Sequence, residues 1–322
     1  MADLYPLRFE PIFRRYLWGG RRLESVLGKA IGPQECAESW ELVDHGDDQS
    51  IVSCGPLAGT SLHSLIEQFG ESLMGEGHTA TSFPLLLKFL DANRTLSVQV
   101  HPSDQQGAQL DPPDLGKTEA WVVLHAEPGS VIYAGLKRGF DRPALERELS
   151  RGTCELCLHK IEPKAGDCVF IPAGLVHALG EGLVIAELQQ ASDTTFRLFD
   201  WNRVDRDGQP RPLHIEQAMK VIDFEHGPAV VRPPEATDRA HVRRLVACDK
   251  FVWDRWQFDT PQPAGDDESV HLLAVLDGEV HVAGDVAEEP LKKGDTLLLP
   301  ASLGAVELTP GGNVTLLDAY LP

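Results

Sequence analysis

The chain has 322 residues, enough for one large domain or two, and 42% of them are hydrophobic, which supports a core without disulfide staples. A formal net charge of −20 argues against nucleic-acid and anionic-membrane partners, since both are polyanions. No apolar run reaches the roughly 18 residues of a bilayer span, the first twenty residues lack a basic-then-apolar secretory signal, and six scattered cysteines suit a reducing cytoplasm.

Short apolar runs punctuated by Gly, Pro and Asp recur along the chain: SIVSCGPL, PLLLKFLDA, LSVQVHP, AWVVLHAEPGSVIYAG, DCVFIPAG, LVIAELQQ, TFRLFDW, HLLAVLDGEVHVAG, DTLLLPAS and NVTLLDAYL. Strands this short and frequent predict a mainly β barrel or sandwich. Helices interrupt it. Thr60 is expected to cap SLHSLIEQFGESLMG, with Leu62, Leu65, Ile66, Phe69 and Leu73 on one stripe. Asp141 is expected to cap RPALERELS, with Pro143 near the first turn, and 214–224 is a third helix. Cys154 and Cys157 form a C-x-x-C without a second pair or adjacent histidines, and read as two apolar-side cysteines. The Pro-rich stretch 227–240 reads as a linker.

The segment GDCVFIPAGLVH, 166–177, carries the most chemistry. A turn at Gly166 leads into an apolar strand, then Pro172 and Gly174 make a second turn that places His177. Imidazole is the commonest protein metal ligand. The spacing resembles the second sequence motif of the cupins, β-barrels that hold one metal inside. KAGDCVFIPAGLVHAL at 164–179 is echoed by KKGDTLLLPASLGAVEL at 292–308, an offset of 128 residues that aligns Pro172 with Pro300 and His177 with Ala305. The chain thus reads as two cupin-like (jelly-roll) barrels, the second degenerate, with boundaries at 1–235 and 236–322. His271 and His281 lie in the second copy but outside the expected equivalents of the first ligand set.

Partners for His177 should lie on strands facing it. LSVQVHPSD sets Gln99 and His101 on one face of a strand and Val98 and Val100 on the other; GKTEAWVVL does the same with Lys117, Glu119 and Trp121. Such polar groups inside a barrel are costly unless paired or metal-bound. Two histidines and a glutamate suit zinc, with other divalent metals open and Gln99 as an amide-oxygen ligand.

The motifs WGG at 18–20, ESWEL at 38–42, PLLLKFLDA, LSVQVHP, GKTEAW, GLVHAL and ASDTTFRLFDW run in order over nearly the whole length. In this the chain resembles the type I mannose-6-phosphate isomerases of the short bacterial form. The resemblance implies a zinc-dependent aldose–ketose isomerase, working on a sugar phosphate through a cis-enediol. It places the zinc ligands on Gln99, His101, Glu119 and His177. It places the active-site arginine on Arg197, a lysine on Lys117, and a proton-transfer glutamate on Glu187. Arg197 has a structural alternative as partner of Asp193 or Asp200, and Glu187 as a buried partner of an arginine. Lys88, Arg94, Arg14 and Arg15 are weaker candidates for the phosphate. The alternatives in function are a non-catalytic, regulatory sugar-binding cupin and an isomerase for another sugar.

Overall fold

The computed structural model describes residues 3–79, 81–204 and 208–322. The chain is mainly β, built from four larger antiparallel sheets with a few helices between them. The first sheet runs Ile12–Arg14, Glu38–Leu42, Leu85–Ala92, Leu183–Gln190, Glu119–Ala126, Cys168–Ile171 in spatial order. Facing it is a five-stranded sheet of Phe196–Phe199, Val98–Val100, His177–Leu179, Ile132–Leu136 and Leu158–Ile161. Leu90, Trp121, Ile171 and Ile185 of the first meet Ile132, Ala134, Ile161 and Leu179 of the second in one apolar cluster.

The pattern repeats in the C-terminal half. Glu235–Ala236, Val242–Ala247, Val252–Phe258, Val314–Tyr320, His271–Asp277 and Thr296–Leu299 form a sheet in the same spatial order as the first. Its partner is Gln262–Ala264, Val306–Pro310, Glu279–Val282 and Leu291–Lys292, and the pair encloses its own cluster around Trp256, Leu273, Leu299 and Leu316. The two KxGD turns coincide in detail. In each, the Asp carboxylate accepts from the Lys backbone N–H at 2.8 Å and the Gly sits at positive φ, +91° at Gly166 and +89° at Gly294.

The outer faces of the two six-stranded sheets share a third cluster. Leu87, Phe89, Val122 and Leu188 join Trp253, Leu272, Ala274 and Leu317 there. Coverage on both faces explains why Leu85–Ala92 and Leu183–Gln190 are buried at every residue and read as continuous apolar runs rather than alternating ones. No described helix is long and apolar enough to cross a membrane.

The expected helix cap at Thr60 moves by one. The Thr60 carbonyl accepts from Val52, and Ser61 caps instead, its Oγ taking the Ser64 N–H. Gly70, at φ +48°, then splits the run into Leu62–Phe69 and Glu71–Met74. Asp141 does cap Arg142–Arg151, accepting from the Ala144 N–H at 3.0 Å. Asp141→Ala is expected to cost about 1 kcal/mol, read as a lower denaturant midpoint at unchanged slope; a midpoint equal to wild type would refute the cap.

One expectation from the repeat fails. Glu119 pairs with Ile171, and His271 pairs with Leu299, the repeat partner of Ile171. His271 therefore occupies the register position of Glu119. The offset of 128 misses this because Glu119 and Ile171 are 52 residues apart while His271 and Leu299 are 28 apart. The first copy carries the helix Arg142–Arg151 in the longer connection.

His271 is locked between Asp318, 2.8 Å from Nδ1, and Asp267, 2.7 Å from Nε2. Burial pulls its pKa down, but the Asp318 charge and the two carboxylate bonds outweigh that and push it up to about 10. The folded chain holds this proton more tightly than the unfolded chain, where histidine titrates near about 6.5. Its stabilisation is complete below that value and is lost as pH rises through about 10. The unfolding midpoint should therefore fall between about pH 7 and about pH 10, and less so in His271→Gln. Equal slopes in the two proteins would contradict the assignment.

Candidate active site

Strand register brings the site together in two rows. Across the five-stranded sheet, Gln99 is paired with His177 on one side and Arg197 on the other. Across the six-stranded sheet, Glu187 is paired with Lys88 on one side and Trp121 on the other. Since the two sheets face each other, Gln99 and Arg197 of the first row and Lys88, Glu187 and Trp121 of the second line one cavity of about 330 Å³. Arg197 and Glu187 thus lie on different, facing sheets at one cavity.

His101, Glu119 and His177 converge, with donor atoms all within 4.8 Å of one another. Nε2 of His177 lies 3.3 Å from Glu119 Oε1, and Nε2 of His101 lies 3.6 Å from Oε2. The outer nitrogens are fixed by backbone. Nδ1 of His101 is 2.9 Å from the Thr194 carbonyl and Nδ1 of His177 is 2.8 Å from the Leu175 carbonyl. Each ring therefore keeps its proton on Nδ1 and turns the Nε2 lone pair inward. The Pro172–Gly174 turn braces both rings: the Gly174 N–H donates to the His101 carbonyl at 2.9 Å. Gly174 sits at φ +86°, and a Cβ there would meet the Val221 carbonyl oxygen at 3.1 Å, so a side chain fits poorly.

The triad is almost wholly buried, and His101 Nε2 and both Glu119 oxygens have no hydrogen-bond partner. Leaving three such atoms without a hydrogen bond is costly unless a cation joins them. Burial holds the His177 pKa down at about 4, and burial with the nearby Lys117 holds His101 well below its ordinary value, so both rings are neutral at pH 7. Burial and the Glu187 charge push Glu119 up to about 8, as expected for a carboxylate short of positive charge. Gln99 Nε2 sits 3.3 Å from His177 Nε2; turned about its last bond, the amide presents oxygen to the same point. Nitrogen, nitrogen and carboxylate oxygen, plus an amide oxygen, is a donor set that divalent zinc accepts.

Lys117 Nζ lies 3.4 Å from Glu119 Oε2 and lines the cavity. Glu187 accepts from Trp121 Nε1 at Oε2, 2.7 Å, and pairs with Lys88 Nζ at Oε1, 2.9 Å. Burial pushes its pKa up, but Lys88 and Lys117 outweigh burial and leave it lowered, hence ionised. Lys88 is thereby committed to Glu187 and Glu38 and is not free for a phosphate. Arg14 pairs with Asp48, and Arg15 donates to the carbonyls of Ile31, Gln34 and Glu35. Arg94 is exposed at a neighbouring cleft. Arg197 bonds Ser97 Oγ and the Pro212 carbonyl, and Asp200 is held by Arg203 and Arg211 instead.

The sequence reading missed Glu38, Tyr16 and Arg211, and named Asp193 only as a partner for Arg197; all four line the same cavity. Glu38 shares a strand face with Trp40, whose register partner is Lys88. Only cross-strand pairing reveals that placement.

Comparison with known proteins agrees with this architecture. Residues 7–118 match the catalytic-domain model of type I phosphomannose isomerase, and residues 241–320 match the mannose-6-phosphate isomerase cupin-domain model. The chain is 34% identical over 309 residues to the mannose-6-phosphate isomerase ManA of Bacillus subtilis, covering 94% of this chain and 95% of that one. It is 34% identical over 304 residues to the Streptococcus mutans mannose-6-phosphate isomerase, covering 92% and 93%. The crystal structure of a B. subtilis mannose 6-phosphate isomerase superposes with a TM-score of 0.90 at 29% identity, covering 99% of this chain and all of that one. Site, fold and sequence converge: this chain belongs to the type I phosphomannose isomerase family and is one of its enzymes.

Proposed function

We propose that the enzyme interconverts mannose 6-phosphate and fructose 6-phosphate through a cis-enediol, with one zinc ion held by His101, Glu119, His177 and Gln99. The unpartnered His101 Nε2 and Glu119 oxygens beside a cation-rimmed cavity carry this reading. Bound zinc supplies Lewis-acid polarisation and a template for the sugar oxygens. Glu187 moves the proton between C1 and C2: it is ionised, lines the cavity, and is fixed by Trp121 and Lys88. Lys117 and Arg197 put fixed positive charge where the enediolate oxygen develops. Arg211, also at the cavity wall, adds positive charge for the phosphate. All of these residues fall within 1–235, which we assign as the catalytic unit, with 236–322 as a degenerate second unit.

Mannose 6-phosphate labelled at C2 should yield fructose 6-phosphate with part of the label at C1, because a shielded carboxylate returns the proton it took. Complete loss of label would exclude a shielded base. Equal turnover of free mannose by the metal-loaded enzyme would exclude the phosphate grip.

A further inference from the structure

The register that places His271 opposite Leu299 extends to a whole second pocket. Asp318 pairs with Leu273 and Asp254, as Glu187 pairs with Trp121 and Lys88. Asp254 in turn pairs with Arg244, as Lys88 pairs with Trp40. Position for position, Glu119 becomes His271, Glu187 becomes Asp318 and Lys88 becomes Asp254. A cavity of about 150 Å³ opens at this place, walled by Arg244, Asp254, Trp256, His271, Asp318 and Tyr320. The second copy has lost its metal ligands and kept the hollow.

We propose that this hollow is a second binding site that takes an uncharged hexose or polyol. Three observations select that class. First, its wall carries five carboxylates (Asp238, Asp254, Asp266, Asp267, Asp318) against Arg239, Arg244 and His271. It repels a phosphate, whereas the catalytic cavity has Lys88, Lys117, Arg197 and Arg211 on its wall. Second, His271 has both nitrogens bonded to carboxylates, so it has no lone pair to give a metal. Third, Trp256 lines the hollow, is 3% exposed, and its Nε1 has no hydrogen-bond partner. A buried indole donor awaits an oxygen, and carboxylates accept from vicinal hydroxyls. Arg244, bonded to both Asp254 oxygens and to the Tyr320 hydroxyl, holds the floor rigid before any ligand arrives.

The test is equilibrium dialysis of radiolabelled D-mannose, D-fructose and mannitol against the full-length metal-loaded chain, followed in parallel by tryptophan fluorescence. At least one of the three should bind in the millimolar range with one equivalent per chain. That equivalent should persist in His177→Ala, which disables the first site, and in the presence of saturating mannose 6-phosphate. Asp267→Ala and Trp256→Phe should each weaken it at least tenfold. Asp267 is half exposed, and unchanged isomerase turnover of Asp267→Ala checks that the fold survives. No saturable binding of any probe to the His177→Ala chain, or affinity that both wall substitutions leave within twofold, overturns the proposal. Either result leaves the isomerase assignment standing.

Discussion

His177→Ala is expected to remove stoichiometric divalent metal and isomerase activity together. His177 is wholly buried, its Nδ1 is held by the Leu175 carbonyl, and its Nε2 faces Glu119 at 3.3 Å. Alanine leaves His101 and Glu119 as two protein donors around an apolar void, with Gln99 across the gap. Two strong ligands do not hold a zinc-like ion against chelator or buffer as four do. Metal content by mass spectrometry should fall from one equivalent to background, and turnover with it. His177→Ala with full occupancy would sink the ligand assignment. Inactive His177→Ala that keeps its metal would move His177 from ligand to proton carrier.

Arg197→Ala should leave metal content and fold in place while kcat falls by a factor on the order of 10²–10³. The structural alternative for this residue was an ion pair with Asp193 or Asp200. The carboxylate of Asp200 is already clamped by Arg203 and Arg211, while the Arg197 guanidinium bonds the Ser97 hydroxyl and the Pro212 carbonyl. Burial and the nearby Arg211 lower its pKa, so its charge is poorly compensated by protein and is available to an anion. Arg197→Lys should recover part of the rate, keeping charge without the planar fork. Near-normal turnover in Arg197→Ala, with a reduced unfolding temperature, would make the residue structural.

Much of the first site was legible because period-two alternation is local. Gln99 with His101, and Lys117 with Glu119 and Trp121, fall on shared faces whatever the rest of the chain does. The Gly–Pro–Gly turn before His177 is equally local. What the sequence could not show was pairing. Nothing in LVIAELQQ says that Glu187 lies between Lys88 and Trp121, or that Glu38 joins them, because register is set by the whole sheet. Lys88 therefore stood only as one of four weaker phosphate candidates, and its pairing with Glu187 was out of reach. The same limit hid His271: a fixed offset assumes equal loops, and the first copy's extra helix breaks that assumption. Thr60 lost the cap to Ser61 because its backbone was already spent on Val52, a contact 8 residues away.

The cluster between the backs of the two six-stranded sheets makes the C-terminal half a keel for the active site. Lys88 and Glu187 point into the cavity, while Leu87, Phe89 and Leu188 beside them press on Trp253, Leu272 and Leu317. A chain ending after 235 would bare that whole apolar face and precipitate rather than work as a smaller enzyme. Leu317→Ala, which touches no substrate, would cost about 2–5 kcal/mol. Its loss would also slacken the strand that aims Glu187. The C-terminal half thus has a mechanical say in the chemistry of the active-site half.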